Sequence, residues 1–335
     1  MTRVARLAGA ICVAVLLGTM PVAMAQQTQP VLSGDLGIHD PTWVEVDGVQ
    51  IAFGTGVEGA GDRGAIRVKT SPDGLVWADA GTIGQGIPDW VEPAIGSVPP
   101  NIWAPHAFVR GERIYLYYAV STFGVNVSAL GLMTHDALDP ADPTAGWVDQ
   151  GVVLQSNRSD NFNAIDAARI DTPDGKAWLS FGSWWDGIKM REIDAETGKL
   201  IEGNDTLYSL ASRGGGAIEA PSILTHDGKY YLFVSFDQCC RGLNSTYNIR
   251  VGRADAVTGP YLDREGKPLL EGGGTVLLEG SKRFKGPGGQ EAYPTPAGDL
   301  LTYHAYAAKT GGMAQLMFTP IRWSADGWPE LDPLP

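Results

Sequence analysis

One motif, met five times, constrains this chain more than any other feature. The stretches "DPTWVEVDGVQIAFGT" (40–55), "HAFVRGERIYLYYAVS" (106–121), "DAARIDTPDGKAWLSFGS" (166–183), "EAPSILTHDGKYYLFVSF" (219–236) and the looser "QEAYPTPAGDLLTYHA" (290–305) share one plan. Each reads as a short strand, a tight turn at or near Asp-Gly, and a second strand rich in aromatic and branched residues. Such alternation around such a turn is the signature of a β-hairpin. A second turn follows each copy, in "SPDGLVW" (71–77), "DPTAGW" (142–147), "DAETGK" (194–199), "DAVTGPY" (255–261) and "SADGWP" (324–329). Two hairpins make a four-stranded unit, and the units begin about 50 to 75 residues apart. No long segment carries a 3.6-residue apolar period, and the 44 Gly and 22 Pro suit a chain built from turns. The expectation is an all-β fold, a five-bladed β-propeller formed by residues 26–335 as one domain. A β-sandwich or β-helix competes, but neither needs five copies of one double hairpin.

Residues 1–25 stand apart. Arg3 and Arg6 precede the apolar run "AGAICVAVLLG", and "AMA" precedes Gln26, which is the form of a secretory signal peptide. The run is short for a membrane span. The expected product is exported, secreted or periplasmic, with no membrane attachment after cleavage. Beyond residue 25 the chain holds 23 basic and 38 acidic residues, a net charge of −15. That charge excludes a nucleic-acid partner and favours a neutral one. Cys239 and Cys240 are the only cysteines after the leader. Adjacent cysteines make no disulfide framework; a vicinal disulfide and two free thiols both remain open. Nothing signals an obligate oligomer, so a monomer is expected.

In a propeller the first strand of each blade lines the central channel. The leading residues of the five copies are Asp40, His106, Asp166, Glu219 and Gln290, all polar. They are expected to converge at one end of the axis. Crowded carboxylates with apolar neighbours raise at least one pKa, and a raised carboxyl serves as a general acid while a better solvated one serves as a base. That pair is the equipment for glycosidic bond cleavage. Glu219, with the longest reach and the flank "AIEAPSI", is the expected acid. Asp40, preceded by His39, is the expected base, and Asp166 is the third carboxylate that orients the acid and tunes its pKa. Trp103, Phe123, Trp184 and Trp185 supply flat apolar faces on which sugars stack. His304, in "TYHAY", is expected near the axis beneath the acids, where it would hold a cation or a water cluster.

These residues carry a resemblance. "HDPTW", "NIWAPH", "YYAVSTFG", "NAID", "SFGSWWDGIKM", "AIEAPSI", "FDQCCRGLNSTYNIRVGR", "TGPYLD" and "GPGGQ" resemble the endo-α-1,5-L-arabinanases of glycoside hydrolase family 43 over about residues 34–320. The resemblance implies a five-bladed propeller, hydrolysis of linear arabinan with inversion, and the catalytic set Asp40, Asp166 and Glu219. It implies an axial calcium ion with His304 as its one protein ligand and water completing the shell. His39, Trp103, His106, Phe123, Asn163 and Arg241 become candidate contacts to arabinan and arabino-oligosaccharides. Two positions depart from the family pattern: His106 stands where Asp is common, and Gly289-Gln290 where His-Asn is common. The alternatives are an exo-acting arabinanase or an arabinofuranosidase or xylosidase of the same fold, and a non-catalytic binding propeller. A binder has no reason to keep three repelling carboxylates. Endo and exo action differ in how the cleft is walled, and the segment 84–101 is the longest candidate wall.

Overall fold

The structure, a computed structural model, describes residues 30–57, 64–84 and 86–335. The leader expected over residues 1–25 lies outside the described residues. Five antiparallel blades stand in a ring, as the repeat requires. The first contains β1 (Ser33–Gly34), β2 (Thr42–Val46), β3 (Val49–Gly54), β4 (Ile66–Ser71) and β5 (Val76–Ile83), and a short helix, α1 (Val91–Ile95), follows it. The second is β6 (Trp103–Arg110), β7 (Arg113–Val120), β8 (Ser128–His135) and β9 (Val148–Ser156). The third is β10 (Ala168–Asp171), β11 (Ala177–Phe181), β12 (Ile188–Ile193) and β13 (Tyr208–Ala211). The fourth is β14 (Ile218–His226), β15 (Lys229–Phe236), β16 (Asn248–Ala254) and β17 (Thr275–Leu278). The fifth holds β18 (Phe284–Tyr293), β19 (Leu300–Ala307) and β20 (Met313–Pro320), with β21 (Arg322–Trp323) and β22 (Pro329–Glu330) as a separate hairpin.

The second strands read as unbroken apolar runs because both of their faces are buried. In β7, Ile114, Leu116, Tyr118 and Val120 pack toward the first blade, while Tyr115, Tyr117 and Ala119 pack toward the third. In β15, Leu232, Val234 and Phe236 meet the third blade, and Tyr231 and Phe233 meet the fifth. Period-two alternation thus feeds two cores from one strand. Each blade boundary holds its own apolar layer, the fifth joining Ile38, Trp43 and Trp77 of blade one to Leu316 and Phe318 of blade five.

The fifth blade departs from the expected four-strand plan. The turn at 324–329 closes β21 on β22 and adds no fourth strand to the sheet of β18–β20. The outer edge of β20 is instead met by the segment 36–38 that precedes the first blade's inner strand. Leu316 N–H donates to Leu36 O (2.8 Å), Ile38 N–H donates to Ala314 O (3.3 Å), and Gly37 bridges Gln315. Just before this, β1 lies parallel on the outer edge of β5. The same short segment therefore ties the first blade to the last and closes the ring.

Every inner strand has a residue in the left-handed region just before it or at a register shift within it, here termed its entry residue: Asp40 (φ +49°), Ala104 (+37°), Asp166 (+56°), Ala220 (+53°) and Gly289 (+57°). This recurrence sets the true register of the repeat and corrects the one expected from polar residues alone. Asp40 and Asp166 occupy the left-handed position itself. Glu219 comes one residue before it, Gln290 one after, and His106 two after.

Candidate active site

The left-handed entry turns the backbone of each inner strand at the top of the channel. A non-glycine residue there is uncommon and costs energy, so its recurrence at two acids points to a built site. The N–H of the entry residue is fastened to a side chain in the preceding blade in four of the five cases. Ala104 N–H donates to Thr55 Oγ1 (2.9 Å), Ala220 N–H to Asp166 Oδ2 (3.0 Å), Gly289 N–H to Ser235 Oγ (3.0 Å), and Asp40 N–H to His304 Nδ1 (3.1 Å). These four bonds cross the blade boundaries and fix the turns from which the carboxylates project.

Asp40 Oδ2 accepts from Thr55 Oγ1 (2.7 Å) and pairs with His39 Nδ1 (2.7 Å). Burial alone would raise this carboxyl. The charge and hydrogen bond of His39, aided by His304 and the Thr55 hydroxyl, outweigh it and hold Asp40 well below the usual carboxylate range. Glu219 accepts from Ser183 Oγ at Oε2 (2.9 Å) and from the Tyr247 hydroxyl at Oε1. Burial lifts its pKa, the two hydroxyl donors pull it down, the nearby Asp40 charge lifts it again, and the net direction is up. Asp166 is pushed well above the ordinary range by burial and by the charges of Glu219 and Asp40, with the Ala220 N–H opposing. Asp40 and Glu219 are thus driven apart, one toward ionisation and one toward protonation, as a base and an acid must be.

These three acids share one cleft of about 930 Å³ with His39, Trp103, Phe123, Asn163 and Arg241. Five of the six residues expected to touch a sugar therefore face the same space as the acids. Phe123 is 80 % exposed and Trp184 is 37 % exposed, so both present free ring faces; Trp185 also lines the cleft. His106 is the exception and corrects an expectation. It is 6 % exposed, its Nδ1 bonds Glu291 Oε1 (2.8 Å), and its Nε2 accepts the Arg169 N–H (2.9 Å). Two residues past the entry turn, its side chain is directed between blades and pins blades two, three and five together beneath the site.

The second departure also has a structural reason. A Cβ on Gly289 would lie 2.4 Å from Asp40 Oδ1 and 2.9 Å from the His304 ring, and a Cβ on Gly288 would lie 2.0 Å from Tyr247 Cδ2. Bare backbone at both positions lets His304 reach Asp40 and lets Tyr247 reach Glu219. Gln290 is buried and grips the neighbouring turn, its Nε2 donating to Ala220 O (2.6 Å) while its Oε1 accepts from Ser235 Oγ (2.7 Å). A chamber of about 30 Å³, room for about one water, lies between Asp40, Asp166, Gln290 and Glu291.

His304 is fully buried, and its Nε2 has no partner among the described residues. Burial and the neighbouring His39 hold its pKa well below normal, so the ring is neutral, with one lone pair that lies on Nδ1 or Nε2 according to the tautomer. His39, Asp40 and His304 have ligating atoms within 4.8 Å of one another. A neutral imidazole beside a carboxylate fits a cation when the ring proton lies on Nδ1, facing Asp40 Oδ1 at 3.6 Å. With Nδ1 accepting the Asp40 N–H instead, Nε2–H is left to a water.

Some of the site escaped sequence reasoning. Thr55, Ser183, Tyr247 and Tyr306 are single hydroxyls at strand ends, with no motif of their own. Cys239 and Cys240 form a vicinal disulfide that lines the cleft, which decides between the two open states. The 84–101 segment does not wall the cleft. Val91 and Ile95 of α1 are buried in the layer between blades one and two, Trp90 Nε1 bonds Asp149 Oδ2 (3.0 Å), and of the described residues in this stretch only Asn101 lines the cleft.

Comparison with known proteins agrees with this geometry. The model of glycosyl hydrolases family 43 matches residues 27–329. An extracellular endo-α-(1→5)-L-arabinanase of Bacillus subtilis is 42 % identical over 294 residues, covering 87 % of each chain. An extracellular exo-α-(1→5)-L-arabinofuranosidase of Cellvibrio japonicus is 35 % identical over 306 residues, covering 88 % of this chain and 86 % of that one. The solved family 43 endo-arabinanase of Bacillus licheniformis superposes with a TM-score of 0.83 at 41 % identity, covering 90 % of this chain and 99 % of that one.

Proposed function

Because this chain belongs to glycosyl hydrolase family 43, we propose that it hydrolyses the internal α-1,5-L-arabinofuranosidic bonds of linear arabinan with inversion at the anomeric carbon. The observation that carries this reading is an Asp40 held ionised and a Glu219 held protonatable in one open cleft. Asp40 takes a proton from a water, which attacks the anomeric carbon from the face opposite the leaving sugar. Glu219 gives its proton to the glycosidic oxygen as the bond breaks. Asp166 fixes the Ala220 peptide beside the acid, and like-charge repulsion among the three carboxyls keeps them from ionising together. Trp103, Phe123 and Trp184 offer ring faces to successive sugars, Asn163 and Arg241 offer polar atoms, and His39 lines the same cleft with both ring nitrogens engaged by Asp40 and Tyr306.

The exo-acting relative makes terminal cleavage the second reading. Internal cleavage is favoured because the 84–101 segment folds into the blade boundary, leaving that side of the cleft open to a continuing chain. The bond chemistry is tested by proton NMR of arabinan hydrolysis. Wild type should release the β-anomer first, and Asp40→Asn should release no product. First appearance of the α-anomer would contradict the assignment of Asp40 as a base acting on water.

At the foot of the cleft the reading includes a calcium ion, which His304 Nε2 would hold when the ring proton lies on Nδ1. When bound, such an ion offsets the negative charge of the three acids. What supports it is a buried, neutral ring whose Nε2 has no partner among the described residues. A chelator should lower the Tm of wild type and leave that of His304→Ala unchanged. An equal response in both would remove His304 as the ligand. Export is supported by the leader-like residues 1–25 and by two relatives named extracellular. Among the described residues no helix is long and apolar enough to cross a membrane.

A further inference from the structure

A hydrogen-bond chain runs behind the base and crosses three blades. Cys240, on the loop after β15, donates its N–H to Tyr306 Oη (2.8 Å). Tyr306, on β19, meets His39 Nε2 at 2.7 Å, and His39 Nδ1 meets Asp40 Oδ2 at 2.7 Å. A phenol has one hydrogen and two lone pairs. With one lone pair taken by the Cys240 N–H, its hydrogen is free for His39 Nε2. Where both ring nitrogens of His39 carry hydrogen, Tyr306 offers its second lone pair to Nε2–H instead; in either state Nδ1–H is donated to Asp40 Oδ2, leaving Asp40 Oδ1 for the attacking water.

The far end of the chain is anchored with care. Cys240 sits at φ +66° and Asp237 at φ +67°, both left-handed without being glycine. Arg241 N–H donates to Ser245 Oγ (3.0 Å), and Gln238 N–H donates to Thr246 Oγ1 (3.2 Å). The bond between Cys239 and Cys240 closes a ring around their shared peptide, so the Cys240 N–H cannot swing away from Tyr306. The cleavage chemistry needs only the carboxylates, and nothing in it accounts for this construction.

We propose that the Cys239–Cys240 disulfide and Tyr306 are positioning elements for the general base, acting through His39. The proposal rests on the reading of Asp40 as that base. It predicts that Tyr306→Phe lowers kcat on linear arabinan about tenfold with KM within about twofold, because the substrate is still bound but the base is no longer aimed. It predicts a similar fall for Cys239→Ser/Cys240→Ser, and no further fall when the three substitutions are combined.

Should the double cysteine variant fold poorly, wild type and Tyr306→Phe are compared before and after reduction by a dithiol, with folding followed by circular dichroism. The dithiol delivers two electrons and two protons to the S–S bond, leaving two thiols and its own cyclic disulfide; thiol alkylation and mass spectrometry verify the product. Reduction should lower kcat in wild type and leave Tyr306→Phe unchanged. No loss in the reduced wild type, an equal loss in both proteins, or a loss confined to KM overturns the relay. An inactive wild type, or a fully active Asp40→Asn, overturns the assignment of the base and the relay with it.

Discussion

Ala220 N–H donates to Asp166 Oδ2 at 3.0 Å, so the residue that follows the acid Glu219 is tied to the third carboxylate across a blade boundary. The carbonyl of the same residue, Ala220 O, accepts from Gln290 Nε2 at 2.6 Å. Asp166 thus places Glu219 through the backbone. Asp166→Ala is expected to lower kcat on linear arabinan by about 10²-fold or more. Asp166→Asn keeps an oxygen that can accept the same N–H and should recover part of that loss. Equal losses in the two variants would assign the role of Asp166 to its charge alone.

Glu219→Gln removes the proposed proton donor and keeps the shape. Turnover of arabinan should fall by about 10³-fold or more, and far less for an aryl arabinofuranoside whose leaving group needs no protonation. The same change should stabilise the protein. The folded-state pKa of Glu219 is raised, so its ionisation is disfavoured in the native state once pH exceeds the unfolded value. Below that value both states are protonated and nothing is lost. The variant should therefore show a higher Tm at pH 7, on the order of 2 °C, with the difference vanishing at low pH. A gain that persists at low pH would deny the electrostatic origin.

Tyr247→Phe removes a donor from Glu219 Oε1. A hydrogen bond to the ionised form lowers a carboxyl pKa, so its loss raises the pKa of Glu219 further. The acid form then survives to higher pH, and the basic limb of the kcat/KM profile should move upward. Ser183→Ala, on the other oxygen, should move it the same way. A downward shift in either variant would contradict the assignment of Glu219 as the acid.

His106→Ala tests the corrected position. The side chain bonds Glu291 Oε1 and the Arg169 N–H inside the ring, so its loss leaves both without a partner. The expected cost is about 1–3 kcal/mol of stability, read from denaturant unfolding, with KM for arabino-oligosaccharides little changed in the folded fraction. A raised KM at unaltered stability would restore His106 to the substrate site.

The blade count was legible because the hairpins repeat in turn chemistry and in alternation, both local properties of the chain. The second strands were legible for the same reason, since β7 and β15 are apolar on both faces. The closure was not. The turn at 324–329 looks like the other four, and nothing near Leu36–Ile38 announces a partner at Ala314–Leu316. In the site, the acids stood out by charge, but their register did not. Ala104 and Ala220 hold the left-handed entry position with no polar side chain to mark it, so alignment on polar residues shifted three blades. That shift explains the misplacement of His106. Trp103 and Phe123 were legible from their place beside the repeat, and Asn163 and Arg241 through family motifs. Thr55, Ser183, Tyr247 and Tyr306 were missed because a hydroxyl gains its meaning only from what the fold sets opposite it.

The measurement that tests the central claim most directly is the size distribution of products released early from linear α-1,5-L-arabinan. An Asp40–Glu219 pair in a cleft open along the chain predicts a ladder of arabino-oligosaccharides of several lengths within the first few per cent of hydrolysis. Release of arabinose alone, or of one short oligosaccharide alone, at that stage would contradict internal cleavage and place the chain with the exo-acting members of its family.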